Sequence, residues 1–326
     1  MTEGRDAIMQ TIADKTPTIT GVEIITDDVA CLMQPIVNLF FVGPQGAGDR
    51  EWVLVDAGLP GFTNSIVKAA AERFGSDSRP SAIVMTHGHF DHVGALKELA
   101  ERWDVPVYAH PMELPYLTGS ASYPPPDPTV GGGGMAWLSW MYPRGPVNVG
   151  DRVRPFPGDG SVPGMPGWRV VETPGHAPGH VSLYRDSDGL LLAGDAFVTT
   201  KQESTIAALT KPLQMHGPPM YFTPDWESAR QSVDKLAALQ PAIAATGHGK
   251  PMRGEELRRE LEALSSEFER RAVPARGRYV THPAIVDEQG VVAVPVDNGF
   301  PVALAALGLA VAVGFVVGRL SGGSDS

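Results

Sequence analysis

Short apolar runs, cut by glycine- and proline-rich stretches, set the rhythm of this chain. Runs rich in β-branched and aromatic residues predict strands at 19–26, 36–42, 52–55, 82–85, 105–109, 168–173 and 241–245. Two more, 181–184 and 190–193, face each other across Asp186-Ser187-Asp188-Gly189, whose Asp-Gly step predicts a hairpin. Helical spacing of apolar residues covers 62–74, with Thr63 or Asn64 as its cap, and then 95–103 and 226–239. A charged surface helix with Glu/Arg pairs at helical spacing follows at 255–271. A strand-rich opening followed by alternating strands and helices predicts a layered α/β domain with a mixed sheet, rather than a bundle or an all-β barrel.

Three stretches break this rhythm. Residues 111–150 hold Pro124-Pro125-Pro126, a glycine run from Gly131 to Gly134 and an aromatic patch with Trp137, Trp140 and Tyr142, which together predict a flap. Residues 201–226 form a second long connection, and 273–298 reads as a linker with a short hairpin. From 299 to 318 there are twenty residues without a charge. As a helix rising ~1.5 Å per residue they would cover the ~30 Å core of a bilayer, so a C-terminal hydrophobic, membrane-spanning helix is expected, followed by a polar tail at 319–326. Ala306, Ala310, Gly314 and Gly318 would line one face of it, and the Gly314/Gly318 pair would let two such helices approach as a homodimer. The first twenty residues are polar and of mixed charge, and lack the basic start and apolar run of a secretory signal. The expected location is the cytoplasmic side of a membrane, or the soluble cytoplasm without the anchor.

Composition narrows the function. The 326 residues, 43% of them apolar, suffice for one large core or two modest ones. A net charge of −11 with no basic stripe argues against a nucleic-acid partner and leaves a small-molecule substrate. The single cysteine, Cys31, excludes an intrachain disulfide and sits in an apolar setting.

The chemistry is concentrated at Thr86-His87-Gly88-His89-Phe90-Asp91-His92-Val93-Gly94, between the strand at 82–85 and the helix at 95–103. Three imidazoles and a carboxylate crowd one turn. Imidazole nitrogen and carboxylate oxygen are the donors a borderline cation such as zinc takes. Further donors follow other predicted strand ends: His176, Asp195 and His248, each beside a glycine. Strand ends converge on one sheet edge, where loops carry chemistry on a rigid base.

These pieces, with Thr173-Pro174-Gly175-His176, Gly194-Asp195 and Gly247-His248-Gly249, resemble the metallo-β-lactamase superfamily of hydrolases, with a glyoxalase-II-like ligand set. The resemblance implies an αββα sandwich of two mixed β-sheets flanked by helices, filling 1–272, with its site at one sheet edge. It implies that His87, His89 and His176 bind one metal, that Asp91, His92 and His248 bind a second, and that Asp195 bridges them. Asp56 matches the family's Asp-x-Gly turn and, like His180, is expected behind the ligands, since ligating histidines give their other N–H to an oxygen. Two divalent ions are implied, zinc first, with iron or manganese sharing the donor set. A hydroxide bridging the metals, oriented by Asp91, would then attack the substrate.

Departures from the pattern trim the substrate range. Cysteine-liganded β-lactamases carry Cys where this chain has Asp195, and quorum-quenching lactonases carry Tyr where it has Val198. The stretch 196–203 lacks the glutathione-binding pattern expected of glyoxalase-II-like thioesterases. The expected activity is hydrolysis of a small ester, thioester or lactone. The alternatives are an iron-dependent oxidoreductase resembling the persulfide dioxygenases, or a β-lactam hydrolase. Trp137, Trp140, His216 and Tyr221 are candidate substrate contacts, and Tyr221, Lys211 and His216 are candidate leaving-group acids.

Overall fold

A computed structural model describes residues 21–296. The chain opens as an antiparallel meander of β1 (Val22–Thr26), β2 (Val29–Met33), β3 (Asn38–Val42) and β4 (Val53–Val55). Helices Thr63–Phe74 and Leu96–Trp103 then carry it through β5 (Ala82–Val84), β6 (Val107–Ala109) and β7 (Val153–Pro155), which add in parallel. The second sheet is built from β8 (Trp168–Glu172), β9 (Val181–Arg185), β10 (Leu190–Gly194), β11 (Ile243–Thr246) and β12 (Met252–Arg253), in the spatial order β12-β11-β10-β9-β8. Only β10 and β11 pair in parallel there, so both sheets are mixed.

Alternation along the strands sorts side chains into layers. In β3, Phe40 and Val42 face the other sheet, whereas Leu39 and Phe41 face the helices Thr63–Phe74 and Leu96–Trp103. In β10, Leu190 and Leu192 join the inter-sheet core while Leu191 and Ala193 face the helices Trp226–Ala238 and Gly254–Ser266. Burial on both faces explains why these strands read as continuous apolar runs. The result is the expected αββα sandwich, with the strand ends of both sheets meeting at one edge.

Several local expectations change. β2 was not anticipated as a strand; Cys31 lies in its middle and faces the inter-sheet core, fully buried. The helix Thr63–Phe74 starts after Phe62 with no side-chain cap, and Thr63 instead bonds Glu98 on the neighbouring helix. The charged helix breaks into Gly254–Ser266 and Phe268–Arg271. Residues after 272 lie on the domain: Tyr279 and Ala284 enter its core, the Tyr279 hydroxyl donates to the Pro125 carbonyl at 2.7 Å, and a hairpin forms from β13 (Ile285–Asp287) and β14 (Gly290–Ala293). The expected C-terminal hydrophobic helix at 299–318, with its Gly314/Gly318 face, falls outside the described residues. Among those described, no helix is long and apolar enough to cross a membrane.

Candidate metal centre

The seven donors expected from the sequence converge. Donor atoms of His87, His89 and His176 lie within 4.8 Å of one another, as do those of His87, His92 and Asp195, and those of Asp91, His92 and His248. The turn after β5 carries His87 to His92. His176 follows β8, Asp195 directly follows β10 and His248 follows β11. Asp195 lies between the groups. Its Oδ1 is 3.6 Å from His92 Nε2, and its Oδ2 is 3.4 Å from His176 Nε2 and 2.8 Å from His248 Nε2. Asp91 Oδ2 is 3.6 Å from His248 Nε2. All seven are buried.

Four of the five donor rings are aimed by their other nitrogen. His87 Nδ1 meets Thr86 Oγ1 at 3.0 Å, His92 Nδ1 meets Asp56 Oδ2 at 2.8 Å, and His176 Nδ1 meets Thr223 Oγ1 at 3.3 Å. His248 Nδ1 is held by the Ile36 carbonyl. All four therefore turn Nε2 into the site. His89 presents Nδ1 instead, 2.9 Å from His176 Nε2, and its ring stacks on Phe222 at 4.6 Å.

Asp56 and His180 both contact the donors from behind. Asp56 takes the left-handed backbone, φ 61°, which a short polar side chain tolerates. Its carboxylate accepts from the Thr86 N–H and hydroxyl, both at 2.8 Å, and from His92. His180 Nε2 accepts from the Asp195 N–H at 2.8 Å, which leaves its Nδ1–H to donate to Thr173 Oγ1 at 2.9 Å. Thr173 passes the chain to Ser182, and Ser182 to the Ala193 carbonyl. Burial pushes His180 down to about 4, as this neutral tautomer requires. Gly247 has no room for a side chain: a Cβ would lie 2.0 Å from Asp195 Oδ1.

Electrostatics divides the donors. Burial, reinforced by neighbouring imidazoles, holds His87 and His176 well below the ordinary histidine value, and burial takes His89 to about 3. On the other side burial opposes charge on His92 and His248, but the Asp195 carboxylate beside both, helped by Asp56 at His92, outweighs it and raises them. Asp195 itself is held well below the carboxylate range: burial raises it, but His248 and His92 prevail. The donor chemistry fits divalent cations. His87 Nε2, His92 Nε2 and Asp195 Oδ1 are buried atoms with no hydrogen-bond partner, a costly state that a shared ion removes.

The remaining candidates separate. Tyr221 is buried in an apolar group with Phe222, Met135 and Ala136, packed against Phe90 and Tyr142 beside the donors. Trp137 and Trp140, on the same segment as Met135, point outward and are 44% and 42% exposed. His216 bridges to Val198 through its backbone, and burial beside Lys201 and Arg271 pushes it down to about 4. Lys211 is engaged behind the site: its Nζ donates to the Gln34 carbonyl at 2.7 Å and to Asn38 Oδ1 at 3.2 Å.

Three partners were not foreseen: Thr223, the Ile36 carbonyl, and Glu113. The Glu113 carboxylate accepts from the Gly88 N–H at 2.9 Å, from the Gly179 N–H at 2.8 Å and from the Tyr123 hydroxyl. Burial lifts its carboxyl to about 7 against the pull of those three donors. None of the three carries a sequence signal, because each is set by contacts formed only in the folded chain.

Comparison with known proteins agrees with this geometry. The family description "Metallo-beta-lactamase superfamily" matches residues 34–248. The chain is 46% identical over 231 residues to "Probable metallo-hydrolase YflN" of Bacillus subtilis (strain 168), covering 71% of this chain and 87% of that one. It is 30% identical over 203 residues to "Probable metallo-hydrolase YybB" of the same organism, covering 62% and 77%. Among solved structures it is similar to a metallo-beta-lactamase family protein from Thermus thermophilus, with a TM-score of 0.51 and 25% identity over 76% of this chain and 81% of that one. The chain belongs to the metallo-beta-lactamase superfamily.

Proposed function

We propose that this protein is a binuclear metal-dependent hydrolase that cleaves a small ester, thioester or lactone with an apolar group beside the scissile bond. The observation that carries the reading is the placement of Asp195 between two donor groups, one oxygen toward His92 and the other toward His176 and His248. His87, His89 and His176 would hold one ion, Asp91, His92 and His248 the other, and Asp195 both. Ions bound there supply a water that ionises near neutral pH and a positive contact for the carbonyl oxygen. Zinc suits the nitrogen and oxygen donors, and iron or manganese would use the same set.

The chain's own groups do the rest. Asp91, facing His248, orients the attacking water. Asp56 and His180 fix the His92 ring and the Asp195 backbone, so that the donors stay put as charge develops. Water adds to the carbonyl carbon, the bond to the leaving oxygen or sulfur breaks, and the proton passes to the leaving group. Phe90, Tyr142, Tyr221 and Phe222 pack into an apolar cluster beside the donors and would favour an apolar substituent there.

A panel of esters, thioesters, lactones and β-lactams, with metal analysis of the same protein, tests the reading. Turnover of one of the first three classes, lost with chelator and restored by zinc, is expected. Stoichiometric iron with sulfur-dependent oxygen uptake and no hydrolysis would contradict it. We further propose, on composition alone, that 299–318 anchors the chain in a membrane. Full-length protein should then pellet with membranes, and protein ending at Asp297 should not.

A further inference from the structure

We propose that Glu113 is a positioning residue, which ties the His87–His92 turn to the His176–His180 turn and so sets the spacing of the His87–His89–His176 donor group. The inference rests on the ligand assignment proposed above.

Glu113 is fully buried and belongs to no strand of either sheet. Its two carboxylate oxygens act on different turns. Oε2 accepts from the N–H of Gly88, the residue between His87 and His89. Oε1 accepts from the N–H of Gly179, three residues past His176 and next to His180. The Tyr123 hydroxyl donates to Oε2 and also accepts from the Gly88 N–H at 2.9 Å. One side chain therefore joins backbone groups of two turns that belong to different sheets.

The packing leaves little slack. A Cβ on Gly88 would lie 2.6 Å from the Tyr123 hydroxyl, and one on Gly179 would lie 2.9 Å from Glu113 Cγ and 3.0 Å from its backbone nitrogen. Glycine at both positions lets the turns close onto the Glu113–Tyr123 pair. The Tyr123 ring meets His89 edge-on at 4.6 Å and stacks on Tyr116 at 3.9 Å. The turn that carries Glu113 is itself fixed, because His110 Nδ1 caps it by accepting from the Met112 N–H at 3.2 Å. Neither Glu113 nor Tyr123 touches the Asp91–His92–His248 group through any of these contacts, so the effect should be one-sided.

Removing the carboxylate strands the Gly179 N–H in a buried site, and the two turns lose their common anchor. Partners that orient metal ligands from behind are worth about 10- to 100-fold in metal affinity. In Glu113→Ala, one zinc equivalent should weaken by about that factor while the other stays near its original affinity. Glu113→Gln keeps an oxygen for the Gly179 N–H but turns an amide NH2 toward the Gly88 N–H, leaving the Tyr123 hydroxyl as that N–H's acceptor, so it should weaken the same equivalent clearly less than Glu113→Ala does.

The test is a chelator-competition titration of the full chain with zinc, read beside thermal stability. Leu99→Ala, a core change on the far side of the first sheet, serves as the purely structural control: its stability should drop with both zinc affinities intact. If Glu113→Ala fails to fold, Tyr123→Phe takes its place and should weaken the same single equivalent to a smaller degree. The proposal is overturned if the Glu113→Ala or Tyr123→Phe protein keeps both affinities, if both equivalents weaken equally, or if Glu113→Gln is as weak as Glu113→Ala. If the unaltered chain does not take up two equivalents, the ligand assignment fails and this inference falls with it. Two normal equivalents with no Glu113 effect would remove this inference alone.

Discussion

The two walls of the site are built differently. The first sheet delivers His87, His89, Asp91 and His92 on a single turn, and Asp56 braces that turn through both Thr86 and His92. The second sheet delivers His176, Asp195 and His248 on three separate strand ends, each with its own support: Thr223, His180 and the Ile36 carbonyl. The last of these comes from the first sheet's side of the chain. So does Asn38, whose Nδ2 donates to the carbonyls of Thr246 and Gly249 at 2.9 and 2.7 Å. The scattered wall is thus registered against the compact one by cross-sheet hydrogen bonds. Loss of Asp56, which holds the compact turn at both Thr86 and His92, should disturb several donors at once, whereas a change behind the scattered wall should disturb one.

The largest effect is expected where the walls meet. Asp195→Ala removes the oxygen pair that faces both, and should lower hydrolytic turnover by at least about three orders of magnitude, the equivalent of ~4 kcal/mol. Metal content should fall with it while far-UV circular dichroism stays native. His89→Ala should lose turnover with the ion of the His87–His89–His176 group. Near-normal turnover in both variants would break the shared-site reading.

The contrast between the walls also explains what could be read from the sequence. The compact wall is legible because four donor-type side chains crowd one turn between a strand and a helix. The scattered donors gain meaning from their glycine neighbours and strand-end positions. Glu113 is illegible: two of its three partners are backbone N–H groups 25 and 66 residues away, which leave no trace in side-chain pattern, and the third is the Tyr123 hydroxyl. The segment 111–150, read as one flap, holds two different structures. Glu113, Tyr116, Leu117 and Tyr123 are buried against the site, whereas Trp137, Trp140 and Met141 are exposed. Proline and glycine content marks both as irregular but does not tell a wedge from a lid. The predicted strand at 19–26 stops at Thr26, and the apolar run Val29–Met33 beyond Asp27 and Asp28 is too short and uniform to show a strand period, so β2 is not evident from pattern. Strand β7 was also not anticipated; it is three residues long and pairs in parallel with β6.

The next effect compares the braces. Asp56→Ala and His180→Ala should each cost about 10- to 100-fold in metal affinity or turnover. Asp56→Ala should also lower the melting temperature more, because it strands the Thr86 N–H as well as His92. Thermal melts with metal analysis of both proteins decide this. Equal losses would mean that the walls are braced alike.

A smaller effect lies on the seam between the walls, where Lys211 bonds Gln34 and Asn38. Burial lowers its amine from 10.5 to about 8. Between those values the unfolded chain holds a proton that the folded chain has shed, so stability should rise with pH from about 8 toward 10.5 through this group. Urea melts across that range should show the rise in the native chain and a flatter profile in Lys211→Met. The same slope in both would remove Lys211 as its source.

The smallest effect is expected on the exposed face of the segment that carries Trp137 and Trp140. Trp137→Ala and Trp140→Ala change exposed side chains and should shift stability by no more than about 0.5 kcal/mol. Metal content should be unchanged and any kinetic effect confined to KM. A large loss of soluble protein would show that this face is covered in the native molecule.

The central claim is that Asp195 joins two metal-binding groups into one site. Anomalous scattering at the zinc edge, from crystals of zinc-loaded protein, tests it most directly. Two peaks about 3.5–4 Å apart are predicted, one against His87, His89 and His176, the other against Asp91, His92 and His248, with an Asp195 oxygen reaching each. A single peak, or two peaks with Asp195 bound to only one, would contradict it.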